Sequence, residues 1–154
     1  MEPCRPLLLF LILLSFPFYA LAGNDPSSSG LIPITLPEGT VIQAELANTP
    51  QKRAEGLMYR EHLAADRGML FTFSQAQAWV FWMKNTKIPL DLIWINEKRE
   101  IVHIEPRVPI CTRTDDSCPQ YRPNEGALYV LELAAGRAES LKLQRGSKLQ
   151  FRLP

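Results

Sequence analysis

The chain has 154 residues, enough for one ordinary domain and too few for two. Its 17 Lys and Arg against 16 Asp and Glu leave a formal charge of +1. So weak a field does not hold a DNA backbone through many phosphates, and no nucleic-acid partner is expected. The 46% hydrophobic and 21% charged residues exclude a disordered chain, and thirteen prolines favour strands and loops over a helical bundle.

Arg5 precedes an apolar run, Leu7–Leu14, extended by Phe16, Phe18 and Tyr19 and closed by Ala20-Leu21-Ala22. Small residues occupy the two positions that a signal peptidase reads. The strictly apolar core falls short of the roughly 20 residues a membrane-spanning helix needs. Residues 1–22 therefore read as a signal peptide, with no stable membrane insertion after cleavage at Ala22. Residues 23–30, rich in Ser, Gly and Pro, read as a flexible leader. The expected destination is the periplasm, with the extracellular medium as the alternative. Cys4 leaves with the signal, so two cysteines remain, Cys111 and Cys118, in an oxidising compartment. Their spacing is neither Cys-x-x-Cys nor part of a zinc set, and a structural disulfide is expected. Closing so short a loop contributes roughly 2–2.5 kcal/mol by chain entropy.

Residues 31–154 read as a single domain. Ile42, Ala44 and Leu46 alternate with Gln43 and Glu45, the period of a half-buried strand. Thr49-Pro50 predicts a helix start, with the helix running to about Arg60 and weakened at Gly56. After a turn at Asp66-Arg67-Gly68, Met69–Phe73 predicts a strand, and the apolar run Trp79–Met83 predicts a central strand buried on both faces. Leu90–Ile95 and Ile101–Glu105 predict a hairpin across Asn96–Arg99. Pro106–Gly126 reads as a long stapled loop, Ala127–Leu133 as a strand, and Gly136–Leu143 as a turn with a short helix. A last strand is expected over Lys148–Leu153. The fold class that follows is mainly β: a compact β-sandwich, jelly-roll-like or small barrel domain with one or two short helices.

No nucleophile elbow, phosphate-cradling glycine loop or zinc helix is present. His62 and His103 read as ordinary surface or partly buried residues, and no metal or cofactor is expected. The most unusual stretch is Phe81–Asp91, where polar Lys84, Asn85, Thr86 and Lys87 separate two apolar segments. Asp91 shares a face with Ile93 and Ile95, and Glu132 with Leu128 and Val130. A carboxylate on an apolar face needs a partner, and Lys84, Arg60 and Asn85 are the candidates. Two carboxylates beside a Lys or Arg form either an acid/base site or a polar network fixing the strand ends; the network is the preferred reading. Met58, Met69 and Met83 are soft donors suited to Cu(I), although each lies in a segment where Met fills core gaps. Trp79, Trp82 and Trp94 suggest a stacking platform, but the odd spacing of Trp79 and Trp82 on a strand admits at most one of that pair.

Five ordered segments carry a family resemblance: Gly56-Leu57-Met58-Tyr59-Arg60, Gly68-Met69-Leu70-Phe71, Phe81-Trp82-Met83-Lys84-Asn85-Thr86, Ile88-Pro89-Leu90-Asp91 and Leu131-Glu132-Leu133-Ala134-Ala135-Gly136. In order and spacing the chain resembles domain of unknown function 192 over roughly residues 34–153. The cysteine pair in a Pro-rich loop is similar to that of exported relatives. Ser147 departs from the pattern, which often has Asp after the final Gly. The resemblance implies a compact mainly β fold and brings no reaction, substrate or cofactor. It leaves Arg60, Lys84, Asn85, Thr86, Asp91 and Glu132 as the candidate polar site. The expectation is an exported, disulfide-stapled monomer that binds a small ligand or an envelope component. The alternatives are an enzyme using Asp91 and Glu132 with Lys84 or Arg60, and Cu(I) binding through the three methionines.

Overall fold

The computed structural model describes Met1 and residues 30–113 and 115–154. Apart from Met1 and Gly30, the segments expected to be a signal peptide and a leader lie outside the described residues. Six strands form one sheet in the order β1-β2-β3-β8-β5-β6: β1 (Leu31–Thr35), β2 (Val41–Ala47), β3 (Arg67–Gln77), β5 (Leu90–Ile95), β6 (Ile101–Val108) and β8 (Ala127–Ala134). Two further strands, β4 (Phe81–Trp82) and β7 (Gln120–Tyr121), pair as a separate ribbon. The helices are α1 (Pro50–Glu55) and α2 (Arg137–Ser140). The fold is mainly β with two short helices, and it is not a closed barrel. It is a sandwich only in part, since a two-stranded ribbon stands where a second sheet would lie.

Most neighbours in the large sheet are antiparallel, but β2 and β3 run parallel. A parallel pair needs a crossover, and α1 supplies it. Thr49 caps that helix by accepting the Lys52 N–H at 3.2 Å, and Pro50 occupies its first turn. The helix ends at Gly56, well before Arg60, because Gly56 takes a positive φ of 50° that stops the helical path. Two other elements differ from the sequence reading. Trp79–Met83 is no central strand: only Phe81 and Trp82 pair, outside the large sheet, and both are half-buried. Its apolar character comes from packing side-on against the sheet. Lys148–Leu153 makes only isolated bridges, Thr35 to Gln150 and Glu100 to Lys148. It straps the β5–β6 turn to the end of β1, with Leu149 and Phe151 packed inward.

Each face of the sheet carries its own apolar layer. One gathers Ile42, Leu70, Ile93, Ile95, Leu131, Leu133, Leu149 and Phe151; the other gathers Met69, Phe71, Met83, Leu92, Trp94 and Val130. Adjacent β5 and β8 are therefore covered on both sides. Gly68 lets β3 approach β8 closely, since a Cβ there would lie 2.7 Å from the Glu132 carbonyl oxygen.

Asp91, on β5, faces the first layer and is 0% exposed. Its carboxyl group accepts three backbone N–H bonds: from Arg107 at 2.8 Å, Gly136 at 2.9 Å and Ala138 at 2.7 Å. One side chain thus ties the end of β6 to the start of α2. Two of the three donors have positive φ, 50° at Arg107 and 82° at Gly136, and the side chain holds those turned conformations in place.

Cys111 and Cys118 are joined, with Cα atoms 5.9 Å apart. β7 begins two residues after Cys118, so the bridge steadies the ribbon that β7 forms with β4.

Asp91→Ala leaves three inward N–H groups without an acceptor and lowers stability by about 3 kcal/mol or more in urea unfolding; a loss below about 1 kcal/mol would contradict the anchoring role. Reducing the disulfide lowers stability by roughly 2–2.5 kcal/mol in the same assay, and unchanged unfolding in reductant would mean the bridge is absent in solution.

Candidate functional site

The two carboxylates that share the sequence motifs do not meet. Register pairs Leu92 with Glu132 and Asp91 with Leu133, so neighbouring β5 and β8 send Asp91 to one face and Glu132 to the other. An acid/base pair of Asp91 and Glu132 is therefore not built by this fold. Asp91 belongs to the polar network just described, and Glu132 stands apart.

Glu132 is 5% exposed, and its Oε2 has no hydrogen-bond partner among the described residues. Met69 on β3 and Leu92 on β5 flank it across the sheet. Neither offers a donor. Burial pushes its carboxyl group from 4.5 up to about 8, since the charged form loses its hydration and gains nothing in return. The group is thus a neutral carboxylic acid through most of the physiological range.

Glu132 lines a cavity of about 220 Å³. Phe71 and Phe73 of β3, Trp79, and Phe81 and Trp82 of β4 supply its aromatic walls, with Leu57 and Met58 beside them. The rings brace one another. Phe73 stacks on Trp79 with centroids 3.9 Å apart, and Phe81 meets Phe71 edge-on at 4.9 Å. Fully buried Trp94 donates its indole N–H to the Trp79 carbonyl at 2.9 Å, fixing the backbone ahead of β4.

Two cations stand among the lining residues, and each is engaged elsewhere. Arg53 of α1 lies 5.4 Å from the Phe73 ring centre and donates to the Thr72 carbonyl at 3.0 Å. Lys84 lies 5.2 Å from the Trp82 ring centre and pairs with Asp116 in the disulfide loop. Glu55 and Thr86 complete the polar lining.

Of the sequence candidates, the fold brings Lys84, Thr86 and Glu132 to one cavity. Arg60 lines a separate depression and binds Glu45 through two bonds of 2.8 and 2.7 Å; that bond raises the guanidinium above its usual value. Asn85 adopts a left-handed conformation, donating its side-chain amide to the Tyr59 hydroxyl at 3.0 Å and accepting the Tyr59 N–H at 2.8 Å. It shapes the connection and lies outside the lining. Met69 and Met83 are buried in the apolar layer, while Met58 sits half-buried at the cavity. Among the described residues no three His, Cys, Asp or Glu side chains gather as a metal site.

Arg53, Phe71, Phe73 and Phe81 were not candidates from sequence, whereas Trp79 and Trp82 were considered as a stacking platform. The odd spacing of Trp79 and Trp82 argues against a shared surface only on a regular strand. Trp79 precedes the strand, and both rings line the cavity.

A carboxyl group whose folded pKa is raised stabilises fully below its unfolded value and loses that contribution as pH climbs to the folded one. Glu132→Gln removes the titration and keeps the shape. Wild type should weaken against this variant by up to about 1.4 kcal/mol per unit between about pH 5 and 8. A stability difference that stays constant with pH would place Glu132 in contact with water.

Comparison with known proteins supports the fold. A crystal structure from Sinorhizobium meliloti 1021, designated a candidate transcription regulator, is 33% identical, with a TM-score of 0.68. The match covers 79% of this chain and 93% of that one. A protein of unknown function from Novosphingobium aromaticivorans DSM 12444 is 31% identical, with a TM-score of 0.71 over 80% of this chain and 89% of that one. No curated protein matches. The family model DUF192, described as an uncharacterized ACR, matches residues 34–151, and the chain belongs to that family.

Proposed function

We propose that this protein is an exported binding domain that takes a small ligand into the aromatic cavity above Glu132. The observation that carries the reading is the unpartnered Oε2 of Glu132 at the wall of a cavity. A buried carboxyl group without a partner weakens the fold, and sites that keep such groups are favoured places for ligands. At about 220 Å³ the space is below the roughly 300–1,000 Å³ of sites that enclose drug-sized molecules. It suits one small molecule or a single protruding group of a larger one.

The aromatic walls supply apolar contact at little entropic cost, since the Phe71, Phe73, Trp79 and Phe81 rings are already held by one another. Export rests on the N-terminal apolar segment and agrees with the Cys111–Cys118 bridge, which persists only in an oxidising compartment. The periplasm, with a ligand or envelope component met there, is the reading we adopt.

Trp79 and Trp82 give the cavity its own optical signal. Titrating the protein with small neutral, anionic and cationic molecules should give a saturable change in tryptophan fluorescence for at least one class. Trp82→Ala should remove it. Flat titrations with all three classes would overturn the binding reading. Export is checked on the same preparation: protein recovered from a bacterial periplasm should have the mass of a chain beginning at Gly23, and an intact N-terminus would oppose it.

A further inference from the structure

The cavity joins an unpartnered carboxyl oxygen to an aromatic lining, and one kind of ligand suits both. Glu132 Oε2 has no hydrogen-bond partner among the described residues, and five aromatic residues line the space around it. Two of these rings already receive cations, Arg53 over Phe73 and Lys84 over Trp82. Those two charges are held at the rim by Thr72 and Asp116 and make no hydrogen bond to Glu132. From the named geometry, and resting on the binding reading above, we infer that the ligand is a small organic ammonium ion, or an ammonium-bearing group, that keeps at least one N–H for Glu132.

The charges around the site fit this. Arg53 and Glu55 face the cavity from α1 and Lys84 from the connection after β4, with Asp116 on the far side of Lys84. β3 and β8 present Phe71, Phe73 and Glu132 there. Two cations are offset by two carboxylates, so Glu132 is the uncompensated group. An anionic ligand would meet it as a like charge once it ionised. A neutral alcohol would satisfy the hydrogen bond but bring no positive charge to the aromatic lining. An ammonium ion satisfies both: as it enters, Glu132 releases its proton to solvent, and the resulting carboxylate pairs with the ligand N–H in a dry site.

The proton release makes the proposal measurable. Benzylammonium, benzyl alcohol and benzoate share one ring and differ in charge, and methylammonium and tetramethylammonium separate charge from the N–H donor. Each is titrated against the full mature chain, with tryptophan fluorescence and calorimetry as readouts. The ammonium ligands with an N–H should bind, and affinity should rise about tenfold per unit between pH 6 and 7.5 and level off above about 8. Calorimetry in buffers of different ionisation heat should show about one proton released per ligand at pH 6.5. Glu132→Gln should lose roughly 30-fold or more for methylammonium, and tetramethylammonium should bind more weakly than methylammonium to wild type. Equal or tighter binding of benzyl alcohol or benzoate, retained in Glu132→Gln, would overturn the ammonium assignment and leave the cavity a binding site. Failure of every probe, of all three charge classes, would instead remove the binding reading itself.

Discussion

β5 and β8 lie side by side in the sheet with an apolar layer over each face, so every side chain on them must be accommodated indoors. Strand periodicity then leaves no freedom: Asp91 and Glu132, on neighbouring strands and offset in register by one, must enter opposite layers. The rest of the molecule is organised around how each layer deals with its carboxyl group.

The two solutions differ. Around Asp91 the chain turns back on itself. Arg107 and Gly136 adopt positive φ, and α2 begins so that three N–H groups reach one carboxyl. The polar group is buried and fully used, and it locks the β6 end to the segment after β8. Around Glu132 nothing of the kind is built. Its neighbours in the sheet are Met69 and Leu92, and the elements above it stand back and leave a cavity. One face holds the fold together; the other keeps a buried polar group without a partner among the described residues, at a cost to stability that packing elsewhere must offset.

The cavity depends on elements outside the large sheet. α1 brings Arg53 and Leu57, and β4 brings Phe81 and Trp82. Among the described residues strand β4 pairs only with β7, and β7 is positioned by the disulfide just before it. Lys84 adds a second tie through Asp116, inside the cysteine loop. The long loop that the sequence marks as stapled therefore helps to hold the far wall of the cavity.

Local pattern was enough for the strands at 42–46, 69–73, 90–95, 101–105 and 127–133, the Thr49 cap, the cysteine pair and the mainly β class, because side-chain period and capping chemistry act over a few residues. The faces of Asp91 and Glu132 were legible too, each within its own strand. Their opposition was not, because it needs the β5–β8 register, a pairing between segments some forty residues apart. The same gap explains Trp79–Met83: an apolar run reads alike whether it enters a sheet or packs on top of one, and only tertiary contact decides. Lys84, Thr86 and Glu132 were visible as polar residues in apolar surroundings; Arg53, Phe71, Phe73 and Phe81 were not, since each looks like an ordinary helix surface or core residue until the chain is folded. By itself the sequence determined the class, the staple and which carboxyl groups had to be buried. The tertiary structure alone decided which was satisfied, because hydrogen-bond partners are supplied by whichever distant segments the sheet order brings near.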